Sequence, residues 1–511
     1  MLLGRALPRN AQLYPDRPAI IEAGGRALTY RELSGRVNRL ASAFLARGLG
    51  KGRRLAILGR SSAAYLEAYF AAGRIGLWQV PLNFHLKPTD IGYRLLHSGA
   101  TALLVDREFV PLLGVLDPTA RQAIDERIWV LDGTHNAYPS VDALIAEGGT
   151  IPPEVPLAPE DILYIGYTSG TTGPAKGALI SHRAIVVGYL YKALTYRLGL
   201  DEVTLNPGPF WHSAPRDYAS LACYLGGTCV VSREFEPEQY CELVQRYRVT
   251  YSFLVPTMLQ MLTSLEANER YDLSSLHLIL SGGSPLPTMV KDKVVARFGP
   301  ILHEFYGATE TRMITSISAT ELSVRRRSVG RPMRDVEIRV LNDDGNERPR
   351  GEVGEIFVRG PGLYSGYHED PERTSRAQRG EWFSLGDVGR MDEEGYLYLV
   401  DRKQDMIISG GENIYPNDIE EILATCPGVR EVAVIGIPDK TWGELVTAVV
   451  VPESGASLSE ETLVAACAAR LPAYMKPRRV MFVKELPRNP VGKVLRRVLR
   501  EPYWRGEEVN I

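Results

Sequence analysis

The first part of the chain alternates between two hydrophobic periods. From Tyr30 to Leu45, the residues Leu33, Val37, Leu40 and Phe44 recur three or four positions apart, the spacing of one helix face. Gly48 and Gly50 end that run, and the apolar segment Arg54-Leu-Ala-Ile-Leu58 reads as a short buried strand. The pattern then predicts a helix through Glu67 to Ala72, a strand from Gly76 to Val80, a helix around Thr89 to Ser98 and a strand from Thr101 to Val105. Strand, helix and strand in this order predict an α/β fold, with parallel sheets covered by helices.

A proline-rich bridge, Ile151-Pro-Pro-Glu-Val-Pro-Leu-Ala-Pro159, separates this region from a second one. That region opens with a strand at Ile162 to Tyr167, a Gly/Thr loop and a helix from about Ser181. Further strands are expected at Gly226 to Val231, Tyr251 to Val255 and Leu276 to Leu280. From about 338 to 400 the texture changes to short strands, with Asn342-Asp-Asp-Gly-Asn346 and Asp392-Glu-Glu-Gly395 as hairpin turns. Beyond it the alternation restarts with Ile419 to Leu423, Val432 to Ile437 and Leu445 to Val451. The expected organisation is a large N-terminal domain over 1–402, including the β-rich lobe, and a small α+β domain over 403–511.

Composition narrows the class. Over 511 residues, 45% hydrophobic and 23% charged side chains are enough for a large core, so disorder and small disulfide scaffolds are excluded. Lys and Arg (59) balance Asp and Glu (61), which argues against a dedicated nucleic-acid binder but leaves room for a locally basic pocket. The five cysteines include no CxxC pair and read as buried thiols in a reducing compartment. The N-terminus lacks a secretory signal, and the most apolar stretch, Ala63 to Phe84, is interrupted by Glu67, Arg74 and Gln79. A cytoplasmic protein without an integral membrane segment is expected. The oligomeric state is open, a homodimer included.

The most informative segment is Tyr167-Thr-Ser-Gly-Thr-Thr-Gly-Pro-Ala-Lys-Gly177. Thr168, Ser169, Thr171 and Thr172 offer hydroxyls, Gly170 and Gly173 let backbone N–H groups converge, and Lys176 adds a mobile positive charge. That set suits a polyphosphate. It is not a Walker A loop, because the glycines are too close and Gly177 follows the lysine. A flexible surface turn has a similar composition, so the companion motifs decide. They are Tyr306-Gly-Ala-Thr-Glu310, Gly386-Asp387, Asp401-Arg402, Gly410-Gly-Glu-Asn413 and Asn489-Pro-Val-Gly-Lys493. With the glycine loop and in this order, they resemble the adenylate-forming superfamily across nearly the whole chain. That superfamily includes acyl-CoA synthetases, nonribosomal adenylation domains and beetle luciferases; the match here is to the acyl-CoA synthetase, or fatty-acid–CoA ligase, branch.

The chemistry of each motif can be stated beside the resemblance. Joining a carboxylic acid to ATP brings two anions together, and each unit-charge repulsion at ~4 Å costs about 4 kcal/mol at an effective dielectric of ~20. A cation between carboxylate and α-phosphate is therefore the central need. The resemblance implies that Lys493 meets it. It further implies that Tyr306 stacks on adenine opposite the Gly283-Ser284-Pro285 backbone, and that Gly307 and Ala308 line the nucleotide. Thr309 donates to the α-phosphate and Glu310 holds Mg²⁺. Asp387, assisted by Arg402, takes the ribose hydroxyls, and Lys176 neutralises the departing pyrophosphate. Pro207-Gly-Pro-Phe-Trp-His-Ser-Ala-Pro215 resembles the aromatic–His motif beside the acyl pocket. This assigns Trp211, His212, Ser213, Tyr218 and Gly282 to the acyl cavity, His212 at the carboxylate end and Asp217 near the cavity or its entrance.

The family's small domain swings between two half-reactions, which implies a mobile C-terminal domain, a hinge at Lys403-Gln404 and a coenzyme A path along a Gly410-Gly411 strand. Gln404 replaces the usual Asp or Lys, Leu385 replaces the threonine before Gly-Asp, and Ala175 separates Pro174 from Lys176. The expected reaction converts a carboxylic acid, ATP and coenzyme A into acyl-CoA, AMP and pyrophosphate. Alternatives are thioesterification of a preformed adenylate, loading of a carrier protein and, in another class, a luciferase-type monooxygenase. Gly360-Pro-Gly-Leu-Tyr-Ser-Gly366 imitates a dinucleotide fingerprint, but its glycine spacing is wrong.

Overall fold

The computed structural model of the chain describes residues 1–168, 175–265, 270–402, 405–488 and 494–504. It divides into two compact units, Met1–Glu337 with Arg359–Arg376, and Ile338–Val358 with Ala377–Ile511.

Among the described residues the first unit contains two sheets. The six-stranded one is ordered Ile128–Val130, Leu103–Val105, Arg54–Leu58, Trp78–Pro81, Ile162–Thr168 and Lys176–Ser181. Its first five strands are parallel, as the helix–strand alternation predicts, and their side chains Ala56, Leu58, Val80, Leu103, Val105 and Ile165 form one buried cluster. The sixth strand was not expected. Lys176–Ser181 pairs antiparallel with Ile162–Thr168, with Thr168 opposite Lys176, so the glycine-rich segment joins the arms of a hairpin. Six residues after a Gly/Pro-rich loop give too short an apolar run to register as a strand. The helix His182–Tyr196 then begins where Ser181 accepts the Ala184 N–H, a side-chain N-cap.

The second sheet has nine strands, ordered from Arg331–Pro332 through Arg312–Ser318, Leu302–Ala308, Leu278–Ser281 and Tyr251–Phe253 to Val203–Leu205, Thr228–Val231, Pro18–Glu22 and Ala27–Thr29. Its centre is parallel. At one end the chain reverses into an antiparallel hairpin, Leu302–Ala308 against Arg312–Ser318, joined by the turn at Thr309 to Thr311, in which Glu310 and Thr311 are buried.

Among the described residues no helix is long and apolar enough to cross a membrane. The apolar stretch beginning at Ala63 is a buried helix, Ala63–Ile75, followed by the strand Trp78–Pro81. Its Glu67 is completely buried, with the Arg36 guanidinium across it and Arg26 at 3.8 Å. Burial raises the Glu67 carboxyl pKa, and Arg36 opposes that.

Among the described residues the second unit contains two five-stranded sheets. Gly354–Arg359, Trp382–Met391 and Leu397–Arg402 pair antiparallel, and the expected turn closes with the Asp392 N–H donating to Tyr396 O at 3.0 Å. In the other sheet the expected renewed alternation gives way to an antiparallel hairpin, Val429–Asp439 with Gly443–Pro452, joined in parallel by Arg479–Phe482. Gly410 and Gly411 are not a strand. They form the two-residue turn between Ile407–Ser409 and Glu412–Ile414, with φ of 63° and 84°. Two consecutive positive φ values twist a tight hairpin in the right sense, and only glycine adopts them without steric cost.

Replacing Arg36 by Met should strand the buried Glu67 charge and cost about 3–5 kcal/mol in urea unfolding. Adding Glu67→Gln should restore a large part of that loss.

Candidate active site

In the first unit, the hairpin that carries Tyr306, Gly307, Ala308, Thr309 and Glu310 lies against the strand Ile162–Thr168. A Cβ on Gly166 would fall 2.6 Å from Thr309 Cγ2, so glycine there permits the approach. A Cβ on Gly307 would strike the Arg312 carbonyl across the hairpin. The Ala308 N–H donates to Thr311 Oγ1 at 3.0 Å, closing the turn around Thr309. Glu310 is buried, 4% exposed, and is not a helix cap. Its Oε1 accepts from Thr168 Oγ1 at 3.2 Å and from the Tyr367 hydroxyl at 3.1 Å. No described residue hydrogen-bonds to Oε2. A buried carboxylate with one uncommitted oxygen fits Mg²⁺, which takes one or two protein carboxylates and completes its shell from phosphates and water. Among the described residues no cluster of three His, Cys, Asp or Glu side chains offers a dedicated metal cage. Lys176 begins the partner strand, its Nζ 5.5 Å from the Tyr367 ring centre.

Gly282 follows the strand Leu278–Ser281, which is parallel to Leu302–Ala308, and a Cβ on it would meet the Phe305 ring at 2.8 Å. Gly283, with φ of 89°, leads into a bend with Ser284 and Pro285, in which Gly283 and Pro285 are exposed and Ser284 is half-buried. Trp211 and His212 precede the helix Ser213–Leu225 and meet edge-on at 5.9 Å; Trp211 is also edge-on to Phe84 at 6.4 Å. Burial holds the His212 imidazole at about 4, and the Arg216 and Arg312 guanidiniums reinforce the shift. The ring is therefore neutral at physiological pH. Tyr218 is fully buried, stacked on Phe253 at 5.4 Å and tilted against Phe305 at 6.2 Å.

Asp217 lies one turn into the helix Ser213–Leu225. Its fully buried carboxylate is paired with Arg312 and lies 3.6 Å from Lys192 Nζ. Arg312 also donates to the Tyr164 hydroxyl at 2.9 Å, and the Arg216 guanidinium lies 4.2 Å from the same ring. Burial pulls the Lys192 ammonium pKa well down, helped by Arg312.

In the second unit, Asp387 and Arg402 face each other on paired strands, with Arg402 Nε 3.2 Å from Asp387 Oδ1. Asp401 next to it is buried and its carboxyl is pushed up to about 6, against the pull of Arg496. Arg496 opens the helix Arg496–Trp504 and turns its guanidinium towards the earlier helix Pro416–Ala424. It is mostly buried, pairs with Glu420 at 2.8 Å and Asp405 at 3.5 Å, and donates to Asn417 at 2.9 Å. Ser169, Gly170, Thr171, Thr172, Gly173, Gln404 and Lys493 lie outside the described residues.

A family model described as AMP-binding enzyme matches residues 7–368, and the AMP-binding enzyme C-terminal domain matches residues 418–493. The chain belongs to the AMP-binding enzyme family. Within this adenylate-forming family it is 37% identical to a feruloyl-CoA synthase from Amycolatopsis sp, over 98% of this chain and 99% of that one. It is 34% identical to an indoleacetate–CoA ligase from Aromatoleum aromaticum, covering 98% of each. Its structure superposes on ATP-bound MatB from Rhodopseudomonas palustris with a TM-score of 0.89, at 31% identity over 98% of this chain and 99% of that chain.

Two residues beside the Tyr306–Glu310 hairpin escaped the sequence reading. Tyr367 follows the glycine-rich decoy at 360–366, whose only signal pointed to the wrong ligand. Arg312, just past the Tyr306–Glu310 motif, has a left-handed φ of 61° that no sequence pattern announces.

The depressed His212 pKa makes a sign-definite prediction. The unfolded imidazole, near 6.5, binds a proton more readily than the folded one near 4, so stability present above pH 6.5 is lost as the pH falls towards 4. His212→Gln should flatten the fall in unfolding free energy across that window. The wholly buried His182, also held at about 4, should carry a similar share of the remaining slope.

Proposed function

We propose that the protein is an AMP-forming acid–thiol ligase that makes acyl-CoA in two steps. The acid's carboxylate attacks the α-phosphorus of ATP, releasing pyrophosphate and leaving an acyl-adenylate. The coenzyme A thiol then attacks the acyl carbon, forming the C–S bond, breaking the C–O bond to phosphate and releasing AMP. The observation that supports this most strongly is the convergence of Thr309 and Glu310 on the strand end at Gly166 to Thr168, from which the glycine-rich segment departs.

The residue roles follow from the chemistry. Tyr306 offers its ring to adenine and Thr309 its hydroxyl to the α-phosphate. Glu310, through Oε2, would hold Mg²⁺, which supplies charge neutralisation at the triphosphate oxygens. Lys176 adds a cation at the β- and γ-phosphates, with Ser169, Gly170, Thr171, Thr172 and Gly173 donating around them, while the Thr168 hydroxyl holds Glu310. Asp387, oriented by Arg402, accepts from the ribose hydroxyls. Lys493 screens the carboxylate from the α-phosphate as they close, the term worth most in a low-dielectric site. Neutral His212 borders the acyl carboxylate without adding a second cation that would hold the ground state. The Gly410-Gly411 turn serves the thiol step, with Lys403-Gln404 as the pivot between the two chemistries. The buried thiols of Cys223, Cys229, Cys241 and Cys467 accord with a reducing cytoplasm.

For the acid, aryl-substituted carboxylates are the first class to test. Two relatives are named feruloyl-CoA synthase and indoleacetate–CoA ligase, and Phe305 packs beside Gly282 and Tyr218, two residues assigned to the acyl cavity. The test is coenzyme A thioester detection over hydroxycinnamic, indole-acetic and long-chain acids, with ATP or with synthetic adenylates. Lys493→Ala should reduce pyrophosphate release by about 10²–10³-fold, yet retain substantial thioester formation from supplied acyl-AMP. Loss of both half-reactions in a folded variant would contradict this division of labour.

A further inference from the structure

We propose that Tyr367 is a positioning residue that fixes which oxygen of Glu310 is presented to a divalent cation, and where Lys176 stands beside it. The proposal rests on the assignment of Glu310 as the metal carboxylate.

Two hydroxyls, those of Tyr367 at 3.1 Å and Thr168 at 3.2 Å, converge on the same oxygen, Oε1. Both lone-pair directions of Oε1 are thereby taken, the carboxylate is held in one orientation, and Oε2 is left to a metal. A hydrogen-bonded partner behind a ligating group is a general means of fixing its direction and raising affinity. The backbone adds a third tie, the Tyr364 N–H donating to the Glu310 carbonyl at 2.8 Å.

Tyr367 is itself well held. It is 8% exposed, its N–H donates to Thr374 Oγ1 at 2.9 Å, and its ring meets Tyr364 edge-on with centres 4.9 Å apart. It also bridges to Ala178 on the strand that begins at Lys176. The Lys176 ammonium lies 5.5 Å from its ring centre, within reach of the ring's negative face. One side chain thus contacts the carboxylate assigned to the metal and the ammonium assigned to the outer phosphates. The segment 360–366, a false dinucleotide fingerprint in sequence, serves in the fold to deliver this tyrosine.

Tyr367→Phe isolates the hydroxyl, since the ring and its contact with Lys176 remain. The measurement is Mn²⁺ binding to the full-length protein by electron paramagnetic resonance, with α,β-methylene-ATP present, beside steady-state KM values for Mg·ATP and for the acid. Apparent Mn²⁺ affinity should fall about 10-fold, and KM for Mg·ATP should rise while KM for the acid stays within error. Glu310→Gln is the reference variant. If it weakens Mn²⁺ binding and Tyr367→Phe does not, the role given to Tyr367 is wrong. If Glu310→Gln leaves Mn²⁺ binding untouched, the metal assignment itself fails, and the proposal goes with it. A uniform rise in both KM values would mark Tyr367 as merely structural and also overturn the proposal.

Discussion

A buried carboxylate must be hydrogen-bonded or neutralised, and Glu310 is where that rule organises the first unit. Strand Ile162–Thr168 belongs to one sheet, the hairpin Leu302–Ala308 with Arg312–Ser318 to another, and Tyr367 to a late returning segment. All three meet at one oxygen. Glycine at 166 lets the strand and the turn approach, and glycine at 307 lets the hairpin close. The nucleotide chemistry proposed here uses that junction, because a phosphate-binding segment and a metal-binding acid must be held at a fixed separation.

A second polar junction lies behind the first. Asp217, one turn into the helix after His212, holds Arg312, two residues beyond Glu310. The helix Ser213–Leu225, proposed for the acyl side, and the hairpin proposed for the nucleotide are therefore tied by a buried ion pair. Arg216 and Arg312 together help to keep His212 neutral. Breaking such a pair from one side leaves an uncompensated charge, so the connection is rigid. On the proposed assignment, acid and nucleotide would have walls that are held to each other by this pair.

Much of this was legible in the sequence, for identifiable reasons. The helix Tyr30–Ala46 and the strand Arg54–Leu58 follow their hydrophobic periods closely, the helix opening with a capping box between Thr29 and Glu32. The motif around Tyr306–Glu310 was readable because its chemistry is concentrated in five consecutive residues. What escaped was non-local or too short. The strand Lys176–Ser181 hides behind a loop, and the turn at Gly410-Gly411 reads as strand until its φ values are known. Tyr367 lies 57 residues from Glu310, and no periodicity links positions so far apart.

The central claim is that a nucleotide-linked acyl group is held against the Tyr306–Glu310 hairpin. A crystal structure with an acyl-sulfamoyl adenosine, an uncleavable mimic of the adenylate, tests it most directly. The account predicts adenine on the Tyr306 ring, the sulfamate beside Thr309 and the acyl carbonyl near His212. Density for the mimic away from that hairpin, with Tyr306 and Thr309 uncontacted, would contradict it.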